Sequence, residues 1–64
     1  MTDEELEILL VFLGYDQVKG PHAYVFHWLK HDASIRKIYN HTEPYRCNYL
    51  LFKTAQELAD YLVK

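Results

Sequence analysis

Apolar positions along this chain follow two rhythms. Leu6, Leu9, Leu10 and Leu13 recur at helical spacing near the start, and Ala55, Leu58, Ala59 and Leu62 do so at the end. Between them, aromatic and β-branched residues gather in short runs punctuated by turn-forming residues, which is the signature of strands. The pattern therefore predicts a helix at each end and β structure in the middle.

The first helix announces its start chemically. Thr2 and Glu5 form a T-x-x-E capping box, and Asp3 and Glu4 sit where acids favour the positive end of the helix dipole. Gly14 is placed to close the helix in a left-handed conformation. Ile8 and Phe12 widen the apolar arc to roughly 200°, with Val11 beyond it, and only Glu4 and Glu7 mark a clearly polar side. That arc is too wide for one buried face on a two-layer domain. The helix is predicted to be sandwiched or to meet another chain.

Tyr15 to Pro21 reads as a connector and His22 to Leu29 as a strand, with Tyr24, Phe26 and Trp28 on one side and Ala23, Val25, His27 and Leu29 on the other. Lys30 to Ala33 reads as a turn. Ser34 to His41 reads as a second strand in a hairpin with the first, although Ile35, Ile38 and Tyr39 also fit helical spacing with Asp32 as N-cap. Thr42 to Tyr45 is a second turn, and Arg46 to Phe52 a third strand. Cys47, Tyr49 and Leu51 would take one of its faces, and Asn48, Leu50 and Phe52 the other. Thr54 and Glu57 repeat the capping box and open the last helix.

The predicted class is α+β: a single α-β-β-β-α domain over residues 1–64, an antiparallel three-stranded meander with two helices on one face. Such a sheet keeps a second face that the helices cannot cover, and an uncovered aromatic face marks an interaction or dimer surface.

Composition sharpens this picture. Half of the residues are hydrophobic and 16% aromatic, which places the chain in the globular class. A domain of this size buries only about 60% of its unfolded surface, so a partner chain would help to stabilise it. Cys47 is the one cysteine, so no internal disulfide forms; with no signal peptide legible, the expected compartment is the reducing cytoplasm. The longest apolar run, Ile8 to Leu13, is far below the ~20 residues of a membrane span. The net charge of −2 is unevenly spread. Residues 1–18 hold Asp3, Glu4, Glu5, Glu7 and Asp16 without a base, whereas residues 19–53 set six bases against Asp32 and Glu43 and hold all four histidines.

Candidate chemistry is sparse. His27-x-x-x-His31, with His22, His41 and Cys47, is the one metal-like composition, but its spacing suits a helix and the segment reads as a strand and turn. No metal or other cofactor is expected. Cys47 lacks a glycine elbow or oxyanion-forming loop around it, and the acids at the chain start are accounted for by helix capping. No phosphate-binding glycine motif is present. The chain therefore reads as a non-enzyme.

Two binding functions remain. Surplus apolar surface favours a protein-binding module, with Trp28, Tyr45, Arg46 and Tyr49 as partner contacts and Ile8 and Phe12 as a self-association surface giving a homodimer. Compact proteins of this size are frequent among phage and mobile-element accessory proteins, which suggests a regulator or inhibitor of a partner protein. The alternative is a single-stranded nucleic-acid-binding domain using an aromatic and basic sheet face through Arg36, Lys37, Arg46 and Lys53. The acidic remainder of the chain favours protein over nucleic acid.

Overall fold

In the computed structural model, which describes residues 1–64, helix α1 runs from Asp3 to Phe12 behind a complete capping box. The Thr2 hydroxyl accepts from the Glu5 amide at 3.1 Å, and the Glu5 carboxylate accepts from the Thr2 amide at 2.8 Å. The far end closes as the sequence predicts, with Gly14 at a φ of 90°. The Tyr15 amide reaches back to the Leu10 carbonyl and the Gly14 amide to the Val11 carbonyl, the paired bonds of a Schellman motif. No base lies in the last turn of α1. Lys30 supplies one from the sheet, donating to the Leu13 carbonyl at 2.6 Å.

The middle of the chain forms five antiparallel strands in sequential order: β1 (Asp16–Gln17), β2 (Tyr24–Lys30), β3 (Ala33–Ile38), β4 (Tyr45–Cys47) and β5 (Leu50–Phe52). Helix α2 (Ala55–Leu62) follows. The α+β class stands, and the three-stranded meander is corrected to five strands. The connector holds the two-residue strand β1, which pairs Asp16 with Leu29 and Gln17 with Trp28. The predicted third strand is in fact a hairpin, because Asn48 adopts a left-handed φ of 54° and turns the chain back on itself. Asparagine tolerates that conformation better than most side chains, since its short amide bonds locally. Here the Asn48 side-chain oxygen accepts from the Ser34 amide at 2.9 Å, while its own amide donates to the Ser34 carbonyl at 2.9 Å. The helical alternative for residues 33–41 is excluded, because β3 is paired on both sides.

Register decides the faces. The rows Trp28–Ile35–Cys47–Leu50 and Phe26–Lys37–Tyr45–Phe52 point toward the helices. Phe26, Trp28, Ile35, Tyr45 and Cys47 form one core with Leu6 and Leu10 of α1 and with Ala55, Leu58 and Ala59 of α2. A bulge between Tyr24 and Phe26 breaks the alternation, so Tyr24 turns away from Phe26 and Trp28 instead of sharing their side. The Thr54 hydroxyl accepts from the Glu57 amide at 3.1 Å, but the reciprocal half of that second box is not made; Glu57 takes the Lys53 amide instead, at 3.4 Å.

Candidate functional site

Two surfaces on opposite sides of the core carry what the fold does not use. The first is the outer side of α1. With Leu6 and Leu10 turned inward, the 100° step of the helix sets Ile8, Val11 and Phe12 outward. Phe12 is 84% exposed, Ile8 69% and Val11 60%. Glu4 and Glu5 are exposed at the N-terminal end of the same helix. The result is an apolar ridge with an acidic end.

The second surface is the sheet face turned away from the helices. Pairing places His27, Arg36, Arg46 and Leu51 in one row across four strands. The His27 Nε2 lies 2.9 Å from the Ser34 hydroxyl. Burial, with the charge of Arg36 and the proximity of His22, holds the His27 pKa below its ordinary value, so its ring is neutral at pH 7. The Tyr24 ring, brought to this face by the bulge, lies edge-on to His27 with centroids 5.2 Å apart, and the Arg36 guanidinium sits 5.7 Å from its centroid. Arg36 donates to the Asn48 carbonyl at 2.6 Å, and Arg46 approaches the His41 Nε2 at 3.3 Å. The Nε–H groups of both arginines are shut off from solvent without an acceptor. Beside Arg36, a hollow of about 410 Å³ is lined by Asp32, Ser34, Asn48 and Tyr49.

The residues singled out from the sequence divide between these surfaces and the interior. Arg46 lies on the open sheet face, and Tyr49, 97% exposed, stands at the tip of the β4–β5 turn. Trp28 and Tyr45 are not surface residues. Both belong to the core, where the Trp28 indole donates to Glu7 at 3.1 Å and the Tyr45 hydroxyl donates to Asp3 at 2.5 Å. Ile8 and Phe12 are both on the exposed ridge. Of the four candidate nucleic-acid contacts, Arg36 and Arg46 share the open face and Lys53 is exposed beyond β5. Lys37 is on the helix side instead, where it forms an ion pair with Asp3. Its parity matches Ile35, and Ile35 must face the core.

The chemistry of the other candidates is equally local. Cys47 is buried, and burial pushes its thiol pKa up, only partly offset by the charge of Arg36. No three His, Cys, Asp or Glu side chains converge on a common point. No helix is long and apolar enough to cross a membrane.

The place of Tyr24 on the open face, Asn48 and the Asp32–Ser34 hollow were not legible as site features, and His27 was singled out only for its metal-like spacing with His31. The bulge at Tyr24 has no glycine to mark it. Asn48, the hub that joins the turn to β3 and to Arg36, offered one weak signal: asparagine is the non-glycine residue most at ease with a left-handed φ. Comparison with protein-family models, with curated proteins and with solved structures finds no match for this chain.

Proposed function

We propose that this chain is a small non-catalytic protein-binding module, a regulator or inhibitor that acts by occupying a partner through the outer ridge of α1. The observation that carries the reading is Phe12, a large ring left 84% exposed on a rigid, doubly capped helix beside Ile8 and Val11. An isolated exposed apolar residue is ordinary, but three on one helical stripe form a patch that water does not favour. An amphipathic helix presenting such a stripe is a recurring way for proteins to fill an apolar groove.

The charge of the helix selects among occupants. Asp3, Glu4, Glu5 and Glu7 give α1 four acids and no base. A second copy of the chain docked helix to helix would find no cation on α1 to meet Glu4 and Glu5. A different protein, with an apolar groove edged by lysine or arginine, suits the ridge better. Homodimerisation is therefore the secondary form of this reading.

Crosslinking from a photoreactive group at Val11 in native extract, repeated with Phe12→Asp, tests the proposal. A specific adduct should form with the wild-type ridge and disappear with Phe12→Asp, while far-UV circular dichroism stays unchanged. Adducts that persist in the Phe12→Asp protein would count against it. Sedimentation at two concentrations separates the occupants, since self-association gives a mass that rises with concentration and falls back in the same variant.

A further inference from the structure

The geometry points to the open sheet face as a single-stranded nucleic-acid site, with a backbone phosphate held by Arg36 and Arg46 and a neighbouring base seated in the hollow against Tyr49. It lies across the sheet from the α1 ridge, so either surface can fail its test without affecting the other.

Arg36 and Arg46 are directly paired across β3 and β4. Like charges in that position repel one another, and here no carboxylate relieves them, because the one ion pair in the protein, Lys37 with Asp3, is on the other side of the sheet. Each guanidinium makes a single bond to the protein, to the Asn48 carbonyl and to His41 respectively. Each Nε–H is shut off from solvent, which leaves the terminal nitrogens of each guanidinium to meet a ligand. Two planar forks side by side, undercompensated and partly held in place, match the oxygens of a phosphate. Tyr24 braces Arg36 from one side, which reduces the ordering cost of binding.

The hollow beside Arg36 identifies what the phosphate belongs to. It is lined by Asp32, Ser34, Asn48 and Tyr49 together with Arg36 itself. The Asn48 side-chain oxygen is already taken by the Ser34 amide, which leaves its NH₂ as a donor. Asp32 can accept from the amino group of a base, a donor that the carboxylate of an acidic peptide lacks. A ring as exposed as Tyr49 is a stacking surface that any base can use. A flat, hydrogen-bonding group within one residue's reach of a phosphate clamp describes a nucleotide unit better than an acidic side chain. The net charge of −2 does not oppose this, since the acids of α1 lie beyond the core from this face and Arg36 and Arg46 stand at its centre.

The test is a fluorescence-anisotropy titration of the whole chain against short labelled single strands. Binding is expected at low salt. With one phosphate neutralised, the affinity should fall roughly two- to threefold between about 50 mM and about 200 mM salt. Tyr49→Ala touches no core residue and should weaken binding by at least about fivefold. Arg36→Gln and Arg46→Gln should each weaken it and flatten the salt dependence. Oligo-dC, whose bases carry an amino group, should outbind oligo-dT, and Asp32→Asn should narrow that gap. No binding at low salt overturns the proposal, as does binding that is indifferent to Tyr49→Ala. Competition by polyglutamate as effective as that by the strand would overturn it in favour of an acidic protein partner. A free mononucleotide that binds as tightly as the strand would overturn it in favour of a small-molecule site.

Discussion

Arg36 on β3 and Arg46 on β4 face one another directly across the ladder, two cations at the position where strands normally set complementary side chains. Opposed like charges on one sheet face are destabilising, and a complementary pair in the same place contributes roughly 0.2–1 kcal/mol. Arg46→Glu should therefore raise the midpoint of thermal unfolding, and the gain should shrink as salt is added. A lower midpoint at low salt would mean that the two guanidiniums are compensated by something other than solvent.

On the helix side, Asp3 is the one acid ion-paired to the sheet, bound to Lys37 and accepting from the Tyr45 hydroxyl. Burial alone would raise its pKa, but the hydrogen bonds from Lys37 and Tyr45 outweigh it and hold the carboxyl below its ordinary value. A depressed folded-state pKa contributes stability that is complete above the unfolded value, near 4, and is lost as pH falls through the folded value. Lys37 is shifted the other way: burial lowers its pKa, yet the bond to Asp3 raises it overall. Its contribution is complete below its unfolded value, about 10.4, and is lost at higher pH. Asp3→Asn should cost about 1–2 kcal/mol at pH 7, since both groups are partly exposed, and much less at pH 2. Urea unfolding at the two pH values measures the difference; equal losses would show that the pair is not charge-driven.

The core and the α1 ridge should respond oppositely to truncation. Leu6 is fully buried, so Leu6→Ala should lose about 2–5 kcal/mol through lost transfer energy and the cavity left behind. A single core in a domain this small supplies about 3–5 kcal/mol, so that variant should be largely unfolded at room temperature. Phe12→Ser, on the same helix but facing water, should stay within about 0.5 kcal/mol of wild type. Circular dichroism and urea midpoints of the two variants decide this, and a strongly destabilised Phe12→Ser would place the ring in the core.

Cys47 should report on opening of the sheet. Its thiol is buried against the helices, and burial pushes its pKa up, so little thiolate forms at neutral pH. Labelling with a thiol reagent should be slow in the native protein and should accelerate at least a hundredfold in denaturing urea. Native labelling as fast as a free thiol would show that β4 opens readily.

Both helices were legible because their ends are local chemistry. A hydroxyl, a carboxylate three residues on and a closing glycine act within one turn, so Thr2, Glu5 and Gly14 could be read directly from their order. The interface residues were harder. Alternation correctly joined Phe26 to Trp28, but it could not say that this side faces inward or that a bulge turns Tyr24 away from them. Trp28 and Tyr45 read as anchors because rings anchor interfaces, yet rings also fill small cores, and burial decides which. Lys37 read as a free cation until Asp3, 34 positions earlier, came within reach.

By itself the sequence determined the capped helices at both ends, the β character of the middle, and the surplus of apolar side chains on α1, because each follows from the residue and its near neighbours. The tertiary structure alone decided that the third strand is a hairpin at Asn48, that β1 exists, and that Arg36 and Arg46 meet without a carboxylate paired to either. The physical reason is pairing. A strand's partner, register and inward side are set by hydrogen bonds and burial between segments far apart in the chain, and a shift of one residue turns every side chain to the opposite face.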